Sequence, residues 1–324
     1  MENDMTGSDN GIRDALRDAY WAKKHRHISL PDANHFRISQ NSGTVRLSLS
    51  SQAVVRNMQN DTAAFEAWLL ALKAWVGIED AVLNWDAPED ARNGHYQRFL
   101  YRVSRFSKLY SNWFRAAPES LSHLNESMVK GKLVCNVATT SPNDSPNKAS
   151  RESRLEKHLA KTGWLANTFS LNPDLVGRQF PVGLFQGKVS RDTNIFTGGK
   201  SAIDLVGIED QPKRLWVFEL KADGNQSMGI VSELFFYVSF MRDVIDGKFS
   251  FQKTESPRIE GRLHHDCLAG IKEIRGCLLA PKLHPLLDDN LVVCELNKAC
   301  WPKGVNVDFC SEKIPDALVS LVAT

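Results

Sequence analysis

The chain has 324 residues, 42% hydrophobic and 24% charged, which allows one large or two ordinary domains of soluble globular composition. Residues 1–150 carry 18 basic and 16 acidic side chains and the remainder 22 of each, so the net charge of +2 excludes a polybasic arm. The polar start MENDMTGSDN excludes a secretory signal, no apolar run approaches the ~20 residues of a membrane-spanning helix, and the six cysteines contain no CxxC pair. A cytoplasmic protein with free, buried thiols is therefore expected.

Residues 1–10 read as a disordered leader. Ile12 to Lys24 places Leu16, Ala19 and Tyr20 at helical spacing, and Thr44 to Leu49 alternates Val45, Leu47 and Leu49 with polar residues, a strand signature. Asp61 or Thr62 can cap a helix whose apolar stripe is Phe65, Trp68, Leu69, Leu72 and Trp75. Ala81 to Trp85 is a brief strand. The longest helix of this half, His95 to Phe114, turns Tyr96, Phe99, Leu100, Val103, Phe106, Tyr110 and Trp113 inward. Arg98, Arg102 and Arg105 recur on another face beside Lys108. They are candidate phosphate contacts, because guanidinium groups fork onto phosphate oxygens, with a solvated helix face as the alternative. Leu133 to Ala138 is a closing strand. His25, His27 and His35 cluster without partners.

Thr139 to Ser150, TTSPNDSPNKAS, has no large apolar residue and reads as a linker. The expected organisation is a mixed α/β domain of unassigned fold over 1–138, a linker over 139–150 and a second α/β domain over 151–324. After the linker come a helix over Arg151–Lys161, an irregular stretch over Asn167–Gln179 and a strand over Phe180–Phe185. Gly276–Ala280 and Leu291–Leu296 are apolar strand candidates, and Thr254–Ile274, ahead of them, is expected to be partly helical.

The chemistry concentrates between Gly198 and Met241. A turn centred between Gln211 and Pro212 sets Asp204 of one strand across from Glu219 of the next, with Lys221 on the same face. Trp216, Phe218 and Leu220 form the opposite, apolar face. Paired carboxylates repel without a cation, so Asp204 and Glu219 are candidate ligands for Mg²⁺, with Mn²⁺ as a substitute. Lys221 is placed to orient a water and offset charge on a phosphorane-like transition state. The plain alternative is a surface hairpin with a satisfied Glu–Lys pair. Gly199-Lys200-Ser201 imitates the end of a phosphate-binding loop, but Asn194 stands where its first glycine is required. Lys200 stays a candidate substrate contact beside Asp204, or part of a plain turn. A zinc site from His264, His265 and Cys267 lacks a second ligand pair at a workable spacing.

The order of helix glutamate, strand aspartate, ExK hairpin and following helix resembles the PD-(D/E)xK nuclease superfamily, in the branch of RecB-like and NucS-like nucleases whose last helix carries Q-x-x-x-Y. The resemblance covers about Arg151 to Asn297. Asp204 in AIDLVGI looks like the motif aspartate, and Glu219 and Lys221 in VFELK look like the ExK pair. Glu152 in RESRLEKHL looks like the glutamate of the opening E-x-x-L helix, with Glu156 as the fallback. Glu233 and Tyr237 in ELFFY occupy the Q-x-x-x-Y positions, with Glu replacing Gln, so an ionised side chain there would only accept hydrogen bonds. The resemblance implies a restriction-endonuclease-like core, a mixed central sheet flanked by helices, in an Mg²⁺-dependent DNA nuclease of repair or defence. It leaves open RNA as target, an inactive nucleic-acid-binding or protein-interaction module on the same scaffold, and a homodimer.

Overall fold

A computed structural model of the chain describes residues 11–127, 131–139, 150–196, 201–222, 226–252 and 258–322, which form a mixed α/β structure with helices flanking mixed sheets. It divides into two compact units. The first is Met1–Met128 with Ser227–Ser232 and His284–Cys300; the second is Val129–Gln226 with Glu233–Leu283 and Trp301–Thr324. Among the described residues no helix is long and apolar enough to cross a membrane.

In the first unit, helix α1 (Gly11–Lys24) buries Ile12, Leu16 and Tyr20. Strands β1 (Phe36–Asn41) and β2 (Thr44–Leu49) form an antiparallel hairpin in which Val45, Leu47 and Leu49 point inward, as the alternation requires. A one-turn helix, α2 (Ser51–Val54), leads to α3 (Phe65–Val76), which buries every residue from Phe65 to Leu72. Asp61 and Thr62 do not cap α3; they lie in a 3-10 turn capped by Asn60, and α3 begins after Ala64. Gly77 ends it in the left-handed region that glycine tolerates. Strand β3 (Asp80–Trp85) pairs parallel with β2, and β4 (Phe114–Ala116) pairs parallel with β3. Between them, Asn93 caps α4 (Gly94–Leu109), whose aromatic stripe is interior. The predicted helix end at Phe114 is thus a strand, and α5 (Leu121–Ser127) follows. Leu291–Leu296 is a helix packed on α3 rather than the expected strand. A six-residue apolar run suits either state, and burial against another helix decided it.

Two of the three arginines in this row do not face solvent. Arg98 and Arg102 are buried. Arg102 Nε donates to Glu66 Oε1 at 2.7 Å, its Nη2 donates to Glu66 Oε2 and, at 2.9 Å, to the Ala63 carbonyl. Arg105 is half-buried, its guanidinium 5.5 Å from the Tyr101 ring centre. Glu66 is buried inside apolar α3, so α4 turns a cation toward it rather than toward solvent. Arg102→Ala would strand that carboxylate and is expected to cost about 3–5 kcal/mol, read as a lower urea midpoint; an unchanged midpoint would contradict this role.

The second unit starts earlier than the linker suggested. Strand β5 (Leu133–Cys135) pairs with β7 (Leu184–Gln186) and β10 (Phe249–Phe251), so its ladder partners place it here. Of the linker itself, residues 140–149 lie outside the described residues. Ser150 caps α6 (Arg151–Lys161), and α7 (Trp164–Phe169) follows. Strands β6 (Val176–Pro181), β8 (Ala202–Glu209), β9 (Arg214–Leu220), β11 (Glu273–Ala280) and β12 (Asn306–Lys313) form a sheet ordered β12-β11-β9-β8-β6. The β6–β8–β9 pairings are antiparallel and the β9–β11–β12 pairings parallel. The stretch over Asn167–Gln179 is therefore more regular than its sequence suggested. The described part of Thr254–Ile274 holds a 3-10 turn, His265–Leu268, and the first two residues of β11.

One face of this sheet presents Leu205, Trp216, Phe218 and Leu220 to Leu155, Leu159, Leu165 and Phe169 of α6 and α7. Each such buried side chain is worth about 1.5–3 kcal/mol. Helix α8 (Gly229–Ile245) approaches the other face at Gly276, where a Cβ would lie 2.8 Å from Val238 Cγ2. All six cysteines are free; Cys135 and Cys277 are buried, but Cys294 and Cys300 are exposed, unlike the expected buried set.

Candidate active site

The β8–β9 ladder runs from Glu209 opposite Arg214 to Leu205 opposite Phe218, the register expected from the turn. One step further, the same register sets Asp204 against Glu219. Asp204 Oδ2 accepts the Leu220 N–H at 3.1 Å, which holds its carboxylate at the open end of the hairpin. Because Phe218 and Leu220 face α6, strand alternation turns Glu219 and Lys221 to the α8 side. Lys221 N–H donates to the Leu279 carbonyl at 3.0 Å, so its backbone is anchored beside β11. Lys221 Nζ donates to Glu219 Oε1 and lies 2.9 Å from Glu233 Oε2. Glu219, Lys221 and Glu233 are each only 1% exposed.

Helix α6 supplies the rest. Glu152 Oε2 accepts the Ala222 N–H at 3.3 Å, just past the ExK strand. Glu156, one turn on, is buried and held on both oxygens: Arg178 Nε donates to Oε1 at 3.0 Å and Gln179 Nε2 to Oε2 at 2.8 Å. Both helix glutamates thus reach the site, Glu152 toward the strand end and Glu156 toward β6.

Gln179 has φ of 52°, in the left-handed region, and the β6–β8 pairing skips from Arg178–Leu205 to Phe180–Ile203 around it. The skipped position is the one opposite Asp204. Strain of this kind costs about 1–3 kcal/mol and persists only where neighbours enforce it. Here Arg262 does so, donating to the carbonyls of Arg178, at 3.1 Å, and Gln179.

One ammonium among this many carboxylates cannot neutralise them all. Burial raises the pKa of Asp204 well above the usual range; Lys221 opposes this, while Glu156, Glu233 and Glu152 reinforce it. Burial likewise raises Glu219, reinforced by Asp204 and Glu233. For Lys221, burial disfavours the charge, but Glu219, Glu233 and Asp204 outweigh it and keep the ammonium protonated. Glu156 is raised by burial and partly restored by Arg178. Glu219 Oε2 is buried with no hydrogen-bond partner among the described residues. An orphaned carboxylate oxygen beside a second, half-buried carboxylate is an all-oxygen donor set, which fits a hard divalent cation such as Mg²⁺.

The raised pKa values set a pH dependence. Asp204 and Glu219 titrate near 4 in an unfolded chain and higher in the fold, so above pH ~4 the native state binds more protons than the unfolded one. Stability then falls as pH rises until the folded pKa values are passed. Urea unfolding of the metal-free protein across pH 4–8 should show this decline, and Asp204→Asn should flatten it; equal slopes for both proteins would contradict the assignment.

Comparison with known proteins yields no match: no family model, no curated protein and no solved structure matches this chain. The site therefore rests on its own geometry. Of the residues predicted from sequence, Glu152, Asp204, Glu219, Lys221 and Glu233 come together, and Tyr237 is buried one turn beyond Glu233 on α8. Lys200 lies outside the described residues. Arg98, Arg102 and Arg105 belong to the first unit. Arg178, Gln179 and Arg262 were not anticipated, since nothing local in the sequence ties any of them to Glu156 or Asp204.

Proposed function

We propose that the second unit is an Mg²⁺-dependent phosphodiester hydrolase acting on DNA, in a cytoplasmic protein. The observation that carries this is the convergence of Asp204, Glu219 and Lys221 on one end of a hairpin, with Glu152 brought over the same end by α6. The order of helix glutamate, strand aspartate, ExK hairpin and following helix, on a mixed sheet flanked by helices, supports a restriction-endonuclease-like core of the PD-(D/E)xK type. DNA as target is what that resemblance implies.

In this reading Asp204 and Glu219 would hold the metal, which supplies Lewis-acid polarisation of the phosphate and a lower pKa for the attacking water. Glu152 completes the acidic rim. Lys221 keeps its proton, because the surrounding carboxylates stabilise the ammonium; it therefore acts by orienting water and offsetting phosphate charge rather than by accepting a proton. Glu233 shares the Lys221 ammonium with Glu219 and limits how far that lysine can swing. Burial favours the protonated forms of Asp204 and Glu219, and their ionised forms are the ones that would hold the metal, so cleavage should rise with pH from the acid side.

A cleavage panel tests this reading. Single-stranded, duplex, mismatched and branched DNA and RNA are each incubated with and without Mg²⁺ or Mn²⁺, for the wild type and Asp204→Asn. Metal-dependent DNA cutting lost in the variant is the expected result. Preferential cutting of RNA would change the substrate, and no cutting of any substrate with either metal would overturn the assignment in favour of a binding module.

A further inference from the structure

His264, His265 and Asp266 follow one another at the 3-10 turn His265–Leu268 of the second unit. They belong to the segment that runs beside β6, where the Gly261 carbonyl accepts the Arg178 N–H at 2.9 Å and Arg262 grips the carbonyls around Gln179. One ligand atom from each of the three lies within 4.8 Å of the others. His264 Nδ1 is 3.1 Å from Asp266 Oδ2, and His265 Nε2 is 3.5 Å from Asp266 Oδ1. Two donors on one zinc-like ion, each about 2.0–2.1 Å from it, lie at most roughly 4.2 Å apart. Both contacts are already inside that limit. The Asp266 side chain is 70% exposed, so a small rotation is enough to complete the set.

Two further observations point to a cation here. His264 Nδ1 accepts the Asp266 N–H at 3.4 Å and lies 3.1 Å from Asp266 Oδ2, which holds the ring nitrogen and the carboxylate on the same side of the turn. The imidazoles are also held in place. Their side chains are 15% and 19% exposed, the two rings lie 4.3 Å apart, and His265 packs 4.6 Å from the Phe251 ring. His264 lines a cleft of about 620 Å³ shared with Lys161, Arg178 and Arg258, which leaves room for water on the remaining coordination positions.

We propose that His264, His265 and Asp266 form a site for a borderline divalent transition-metal ion of the zinc, cobalt or nickel class. Two imidazole nitrogens and one carboxylate suit such ions, whereas the all-oxygen Asp204–Glu219 cluster suits Mg²⁺. The ion fastens the segment that clamps Gln179 opposite Asp204. The proposal does not depend on the nuclease reading, because its test reads metal binding alone.

Cobalt provides the probe. The full chain, stripped of metal and kept in excess Mg²⁺, is titrated with Co²⁺ while visible d–d absorption is followed. One equivalent should saturate the signal. His265→Gln and Asp266→Asn should each weaken binding at least tenfold, while Asp204→Asn should leave it unchanged; circular dichroism melts confirm that each variant is folded. Asp266 is a surface residue, so its variant remains informative if the His265 change perturbs packing. No d–d bands at millimolar Co²⁺, or bands that survive in Asp266→Asn at wild-type affinity, would overturn the site.

Discussion

Asp204→Ala is expected to lower metal-dependent cleavage by on the order of a thousandfold while making the metal-free protein more stable at neutral pH. The activity loss would follow from removing one of the two proposed oxygen ligands, several kcal/mol of transition-state stabilisation at about 1.4 kcal/mol per tenfold. The stability gain follows from electrostatics: the Asp204 carboxylate is costly to ionise where it sits, chiefly through burial, with Glu156, Glu233 and Glu152 adding repulsion. Alanine also strands the Leu220 N–H that Asp204 accepts, so Asp204→Asn, which keeps an acceptor, isolates the charge effect. Single-turnover cleavage beside a urea titration at pH 8 reads both quantities. Lost cleavage with reduced stability in both variants would mean that Asp204 serves the fold rather than a metal.

Lys221→Ala should act in the opposite direction on stability. It removes the ammonium that Glu219 and Glu233 share, leaving buried carboxylates with no cation, an expected cost of about 3–5 kcal/mol. That cost depends on ionisation. At pH 5 the carboxylates can protonate and much of the stability should return, whereas at pH 8 it should not. Urea midpoints at the two pH values separate this from simple loss of packing, which would be equal at both. Lys221→Met with Glu219→Gln removes one charge of each sign but leaves Glu233 without a cation, so it should recover part of the stability without recovering cleavage. Recovered cleavage in that pair would exclude Lys221 and Glu219 from the chemistry.

Much of the site was legible because its centre is local. The strand alternation in AIDLVGI and LWVFELK, and a turn at Gln211–Pro212, were enough to set the register that the ladder shows. Helix α6 was equally readable over Arg151–Lys161, with Leu155 and Leu159 on its buried side, and the structure adds Ser150 as its cap. The first unit was legible where periodicity was strong, as in α3 and β2, and illegible where short apolar runs fit two states, as at Leu291–Leu296. The arginines of α4 were misplaced for a related reason. Spacing says which residues share a helix face, but not that Glu66 waits in the core to receive one of them.

The sequence by itself determined the Asp204–Glu219–Lys221 constellation, because residue spacing in two paired strands sets side-chain direction through a period of two and a short turn. Only the tertiary structure decided that Glu152 and Glu156 both reach it, that Glu233 competes for Lys221, and that Arg262 holds Gln179 in a left-handed conformation opposite Asp204. Those partners lie far apart in the chain. Their meeting depends on how α6, α8 and the segment beside β6 pack on the sheet, and packing is set by the summed burial of many side chains rather than by any local pattern.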